Sequence, residues 1–235
     1  MTLTEFQTYL HALYRGDDNV PTDGDTKWNQ REYILHSAIN IWENQNVLWD
    51  ELWTTLTDAS TGDKTVNSSD LAYTMPTDMK FLGGYVTVTS GTQVTTYTVV
   101  KPQDISLYTS GVVYFTGNKK TGQTLHFLTQ PTVGGTIDFP YYKDAFTPTT
   151  TAHVIEMSDP YFAVYYALGK LHEQEGAGDR ARASYAIADE KLIKMKTANM
   201  LLPPLQPNRP NDDGRGGFGQ TGSWGFSRYG QSFGQ

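Results

Sequence analysis

Residues 159–196 read DPYFAVYYALGKLHEQEGAGDRARASYAIADEKLIKMK, and this stretch decides the fold. Ser158 or Asp159 can accept hydrogen bonds from the free backbone N–H groups at the start of a first helix. The Gly-Ala-Gly segment 176–178 interrupts the helical pattern, and Asp179 can cap a second helix. The stretch therefore predicts a helical hairpin.

The second helix of this hairpin carries one apolar stripe. Its members recur at spacings of four and three residues, while most charged residues lie off the stripe. They are Ala181, Tyr185, Ala188, Leu192 and Met195. Such a stripe must be buried against a neighbour, so it bears on packing and assembly rather than on a reaction centre.

Two further helices are predicted in the N-terminal quarter. Thr2 and Glu5 have the spacing of a capping box, and apolar residues at helical spacing follow, which predicts a helix over residues 3–14. A broad apolar stripe predicts a long helix over residues 26–57, although the Asn-Gln-Asn segment 44–46 could divide it. The heptad-spaced members of that stripe are Trp28, Leu35, Trp42, Trp49 and Leu56.

Between the helical segments, residues 71–147 alternate in Thr, Val, Tyr and Phe and are punctuated by Gly, Pro and Asn. This pattern predicts about six short strands. The segments 117–122 and 134–135 are predicted hairpin tips. The expected fold is therefore α+β, a bundle of about four helices with an inserted β-rich barrel or sandwich lobe and an extended C-terminal arm.

Four regions follow from these changes of pattern. They are N-terminal helices in 1–70, the β-rich insert in 71–147, a helical hairpin completing the bundle in 148–202, and a Gly/aromatic arm in 203–235.

The composition narrows the classes of function. Cysteine is absent, which excludes disulfides and thiolate metal sites. The net charge of −7 argues against tight, general binding to a phosphate backbone. No run approaches the ~20 apolar residues that cross a bilayer, so no membrane partner is expected. Fifteen Tyr, ten Phe and five Trp favour large contact areas at protein interfaces.

Residues that often carry chemistry form no recognisable site. The five histidines lie in different elements without ligand spacing, and His172 is best interpreted as a helix-surface residue. Any two of several carboxylates could form an acid–base pair, but solvated helix faces explain them better. These carboxylates are Glu43, Asp50, Glu51, Glu173 and Glu175. No catalytic residue, metal or cofactor is predicted.

The arm contains large aromatic side chains among many glycines. Too few arginines accompany them for strong phosphate binding, so the segment is predicted to dock its aromatics on a partner. The candidate docking residues are Phe218, Trp224, Phe226, Tyr229 and Phe233.

Taken together, the order of elements resembles that of the head-to-tail adaptor, or connector, proteins of tailed bacteriophages. This family includes the podovirus tail accessory factors and tail tubular adaptors. The resemblance covers about residues 2–200. It is carried by the Tyr-Thr-Met-Pro-Thr-Asp opening of the sheet at 73–78 and by the helical hairpin with its turn at 176–179. The larger sheet insert and the Gly/aromatic arm depart from the smaller members.

The resemblance implies a structural virion protein that forms a ring, expected to be dodecameric, in the neck between head and tail. Expected partners are the portal, a tail, nozzle or second neck protein, further copies of itself, and genomic DNA that passes through the lumen without sequence specificity. The protein would be in the host cytoplasm during assembly. Surplus aromatic surface suggests ring contacts in the helical part. The candidates are Trp28, Trp42, Trp49 and Trp53.

Two alternatives remain open at the level of sequence. One is a tail-associated muramidase that cleaves peptidoglycan, an activity credited to some related accessory factors. The other is a nucleic-acid-binding protein acting through its Gly-rich tail.

Overall fold

Over the residues that the computed structural model describes, 1–17, 19–118 and 122–201, the chain folds into four α-helices and two β-sheets. The helices are α1 (Leu3–Tyr14), α2 (Thr26–Glu43), α3 (Tyr161–Gln174) and α4 (Gly178–Leu201). Short 3₁₀ turns span Asp50–Leu52 and Pro102–Leu107. The α+β class is therefore confirmed, whereas the predicted arm at 203–235 lies outside the described residues.

Nine strands lie between α2 and α3 in the described chain. They are β1 (Trp53–Thr55), β2 (Ala72–Thr74), β3 (Met79–Leu82), β4 (Val86–Ser90), β5 (Gln93–Val99), β6 (Val112–Asn118), β7 (Gly122–Phe127), β8 (Thr136–Asp138) and β9 (Pro140–Lys143).

The N-terminal capping box is confirmed. Thr2 Oγ1 accepts from the Glu5 N–H at 3.2 Å, and Glu5 Oε2 accepts from the Thr2 N–H at 2.7 Å. These two bonds satisfy donors that a helix start leaves free. As a result α1 begins at Leu3 and ends at Tyr14, the predicted bounds.

The predicted long helix over 26–57 is wrong in its second half, because α2 ends at Glu43. Asn46 has φ of +55°, a conformation that asparagine tolerates better than most residues, and it turns the chain. Trp49 then folds back, and its Nε1–H donates to the Trp42 carbonyl at 2.9 Å. The heptad spacing of the two tryptophans therefore reflects a turn rather than a continuous helix.

The C-terminal hairpin is confirmed, with one correction. Asp159 Oδ1 accepts from the Tyr161 N–H at 3.1 Å at the start of α3. Gly176 has φ of +76° in the turn, and α4 begins at Gly178. The sequence predicts Asp179 as the cap of α4. That is wrong, because α4 begins at Gly178 and Asp179 lies within its first turn.

The β-rich lobe is a curled, mixed half-barrel. Six strands follow the order β2-β7-β6-β5-β4-β8, in which only the β5–β6 pair is parallel. A three-stranded sheet has the order β1-β9-β3. The predicted hairpin at 134–135 is wrong, because the flanking β7 and β8 lie near opposite ends of the six-stranded order. Residues 134–135 form a turn in the crossing connection.

Two buried clusters support these two parts. The helical core combines α1 to α4 with Trp49, Leu52 and Ile155, and the predicted α4 stripe faces it through Ala188, Leu192 and Met195. The sheet core includes Leu56 and Val66, so the lobe uses residues before the predicted boundary at 71. Burial of these side chains is the main stabilising term of both parts.

Candidate functional site: a cationic cleft and an apolar patch

A cleft with a volume of about 310 Å³ opens between α1, α2 and α3. We call it the cationic cleft. Its lining residues are His11, Tyr14, Arg15, Asn19, Pro21, Lys27, Gln30, Arg31, Leu171, Gln174 and Glu175. Three helices contribute to it, so the helical core fixes its walls.

Arg31 lies at the buried side of the cationic cleft, with 3 % of its surface exposed. Its Nη2–H group donates to His11 Nδ1 at 3.1 Å, and His11 Nε2 lies 2.6 Å from Asp17 Oδ1. Because guanidinium can only donate, His11 Nδ1 is the acceptor, which assigns the ring proton of the neutral imidazole to Nε2. The imidazole therefore links Arg31 to the Asp17 carboxylate without a direct ion pair.

The other terminal nitrogen of Arg31, Nη1, has no hydrogen-bond partner among the described residues. Nη1 is buried and makes no hydrogen bond to any residue that the structure describes. Burial lowers the pKa of the Arg31 guanidinium, with the nearby Arg15 charge acting in the same direction. A buried cation without a carboxylate partner is costly, and such groups are normally paired.

The rim of the cationic cleft holds a second polar network. Arg15 Nη2 donates to Glu175 Oε1 at 3.0 Å, and the Arg15 guanidinium lies 4.5 Å from the centre of the Tyr14 ring. Burial is the main cause that raises the pKa of Tyr14, and a hydrogen bond to Glu175 acts in the same direction. These contacts hold Arg15 over the cleft opening.

Gln30 and Lys27 complete the rim on the α2 side. Gln30 Nε2 donates to Gln174 Oε1 at 2.7 Å, which joins α2 to α3. Lys27 is exposed on the first turn of α2. Among the described lining residues, the cations Arg15, Lys27 and Arg31 outnumber the carboxylate of Glu175. The cleft is thus locally positive in a chain with a net charge of −7.

Sequence reasoning missed this cleft, although a signal was present. Gln7 and His11 lie on the apolar face of α1, and Arg31 lies on the stripe between Trp28 and Leu35. Polar residues at core positions are normally there for a partner or a function. Gln7 fits this pattern, since its Nε2 donates to the Trp28 carbonyl at 3.2 Å.

The tryptophans predicted to contact neighbouring copies are mostly core residues. Trp28, Trp42 and Trp49 are buried in the helical core, so they are not the surplus surface that the sequence suggested. Trp49 packs on Trp42 with ring centres 5.2 Å apart. Trp53 is different, because it lies on β1 with 40 % of its surface exposed.

Surplus apolar surface exists elsewhere on the helices. Tyr9 and Leu13 share one face of α1, and each is 47 % exposed. Tyr161 of α3 contacts Tyr9 edge to face, with ring centres 5.6 Å apart. We call these three residues the apolar patch. The predicted docking residues Phe218, Trp224, Phe226, Tyr229 and Phe233 lie outside the described residues.

The five histidines lie in different parts of the fold. In the described residues no group of three or more His, Cys, Asp or Glu side chains is placed to hold a metal ion. His172 is buried beside Tyr14 rather than exposed as predicted, because it faces α1. His126 stacks on Tyr114 at 4.8 Å in the sheet lobe.

Three of the five carboxylates considered for acid–base chemistry lie in separate ion pairs. Glu43 pairs with Lys80 at 2.7 Å, and Glu173 pairs with Lys170 at 3.1 Å. Glu175 pairs with Arg15 across the cleft. Each of these three is therefore occupied by a cation from another position.

Comparison with known proteins gives no assignment: no protein-family model and no curated protein matches the chain. No helix within 1–17, 19–118 and 122–201 is long and apolar enough to span a bilayer.

Proposed function

We propose that this protein is a structural subunit of a phage neck: a ring, dodecameric by resemblance, that joins the portal to the tail and conducts DNA. The order of its elements supports this role, since helices α1 and α2, a sheet insert and the α3–α4 hairpin follow one another as in the adaptor proteins it resembles.

The observation that carries the proposal is the apolar patch. Tyr9, Leu13 and Tyr161 expose large apolar side chains on the helical part, outside its buried core. Aromatic side chains grouped on a surface are typical of protein–protein contacts. In a closed ring each copy would present this patch to its neighbour, which makes the contact heterologous.

The proposed setting has partners on both sides of the ring. The portal lies on one side and a tail, nozzle or second neck protein on the other, with genomic DNA in the lumen. An acidic chain fits a lumen through which a phosphate backbone slides without being held.

Mixing the protein with portal particles from the same virion, followed by electron microscopy of the complexes, tests the proposal. The double variant Tyr9→Ser/Leu13→Ser should lose ring occupancy. The matched control is Val94→Ser/Leu107→Ser, which removes similar exposed apolar groups from the sheet lobe. It should assemble like the parent.

Both variants should remain folded, because exposed substitutions usually change stability by about 0.5 kcal/mol or less. Circular dichroism checks this point. Isolated copies or open fibres on the portal, or normal rings from the patch variant, would contradict the proposal.

A further inference from the structure

We propose that the cationic cleft is a binding site for an oxyanion, a carboxylate or phosphate group carried by a small molecule. The inference does not depend on the ring. It rests on Arg31, a buried guanidinium whose Nη1 has no hydrogen-bond partner among the described residues and whose side chain lines the cleft.

Arg31 lacks a counter-charge among the residues that the structure describes. The chain has 25 Asp and Glu against 18 Lys and Arg, so carboxylates outnumber the cationic side chains that they could pair with. Among the described residues, the carboxylates of Asp17 and Glu175 are engaged elsewhere, Asp17 with His11 and Glu175 with Arg15. Since a buried cation is stabilised by an anion at hydrogen-bond distance, a ligand anion supplies what the chain does not.

The donors of the cationic cleft suit an oxyanion better than other anions. Arg15 and Arg31 carry guanidinium N–H groups, which suit carboxylate and phosphate oxygens, and Lys27 adds an ammonium at the rim. Nη1 of Arg31 is closed to solvent, so the rim side chains must move aside for a ligand to reach it. The Arg31–His11–Asp17 chain holds the guanidinium in place before a ligand arrives. Little ordering of that side chain is then required on binding.

The size of the cleft sets the ligand class. Its volume of about 310 Å³ corresponds to about ten waters at the volume each occupies in the liquid. A bare ion would leave most of that space unfilled, whereas a small organic acid or phosphate ester fits.

Calorimetric titration of the full chain with inorganic phosphate and with acetate, each against chloride at equal ionic strength, tests the site. We expect saturable binding with a Kd of about 1 mM or tighter for at least one of them. The anion that binds more tightly identifies the headgroup as phosphate or carboxylate. Binding should shift the His11 ring resonances in NMR spectra, because His11 contacts Arg31.

Matched variants separate the cleft from general charge effects. Lys27→Gln should weaken binding by about tenfold, as expected for loss of a charge-assisted contact, whereas Lys194→Gln on the exposed side of α4 should not. Glu175→Gln removes a competing carboxylate and should tighten binding by about fivefold, whereas Glu190→Gln should not. Arg31→Met should abolish binding.

Two results would overturn the inference. One is the absence of a saturable response to either anion in the parent. The other is a response that Lys27→Gln leaves unchanged, a test that holds even if Arg31→Met fails to fold, because Lys27 is exposed.

Discussion

Gly169 has no room for a side chain. A Cβ built at this residue of α3 would lie 2.5 Å from Cε1 of Tyr185 on α4, well inside van der Waals contact. The Tyr185 ring is held in turn, because its hydroxyl donates to Glu173 Oε2 at 2.9 Å. At this residue close helix packing therefore outweighs the low helix propensity of glycine.

Gly169→Ala should accordingly lower the free energy of unfolding, by about 1 kcal/mol. The overpacking cost of about 1–3 kcal/mol exceeds the propensity gain of about 1 kcal/mol. Urea unfolding measures the change. Gly178→Ala is the matched control, since no atom lies within 4 Å of its Cβ position, and it should be neutral or stabilising. Equal effects from both alanines would contradict the packing argument.

Acid sensitivity follows from two carboxylates of the cleft region. The hydrogen bond from His11 is the main cause that lowers the pKa of Asp17 below its ordinary 3.8. The hydrogen bond from Tyr14 is the main cause that lowers the pKa of Glu175 below its ordinary 4.5. A group whose pKa is lowered by folding stabilises the fold above its unfolded pKa. That contribution is lost as the pH falls through the folded pKa.

We therefore expect the free energy of unfolding to decrease below about pH 4.5, and Asp17→Asn to reduce the steepness of that decrease. Urea titrations at a series of pH values between neutrality and pH 3 measure it. A variant whose stability falls with acid as steeply as that of the parent would show that the Asp17–His11 contact does not contribute.

At the scale of elements, the turn that follows α2 depends on one unusual backbone conformation. Asn46 has φ of +55°, and the chain then returns so that Trp49 can donate to the Trp42 carbonyl. The turn therefore places Trp49 and Leu52 in the helical core and delivers β1 to the sheet lobe.

Asn46→Val should destabilise the protein by about 1–2 kcal/mol, because a β-branched residue resists positive φ. Asn46→Gly should be neutral or stabilising, since glycine adopts this conformation without strain. Thermal unfolding of the two variants distinguishes them. A valine variant as stable as the glycine variant would mean that the turn relaxes to another conformation.

The same segment shows where sequence patterns stop being informative. The capping residues and the helical spacing of apolar residues predicted α1 and the hairpin correctly, because both signals arise within one helix. The seven-residue spacing of apolar residues extends beyond the end of α2, because Trp49 returns through a turn to the same core as Trp42. The three-residue strand β1 is too short to show alternation, and its partner β9 is distant in sequence.

The cationic cleft was harder still to predict. His11 lies on α1, Arg31 lies on α2 and Glu175 directly follows α3, and only the packing of those helices brings them together. The sequence contains the local sign, a charged residue on an apolar stripe, but not the identity of its neighbours. The pairing of Arg31 with His11 instead of a carboxylate depends on tertiary geometry.

At the scale of the whole molecule, the residues that the structure describes form two buried cores. The helical core extends from Leu3 to Met195, and the sheet core from Leu56 to Tyr141. The fold of this part is therefore expected to stand without residues 202–235. Those residues carry the predicted docking aromatics Phe218, Trp224, Phe226, Tyr229 and Phe233.

A chain truncated after Leu201 should keep the melting temperature and circular dichroism spectrum of the parent. On the neck role proposed above, it should bind portal particles more weakly. Each aromatic buried on a partner contributes roughly 1.5–3 kcal/mol before the cost of ordering the segment, so losing several of them should reduce affinity by at least about tenfold. The matched control replaces the five aromatics with serine in the full-length chain. If that variant and the truncated chain both bind portals as tightly as the parent, the aromatics have no docking role. If only the truncated chain binds weakly, the contact is made by other residues of the segment.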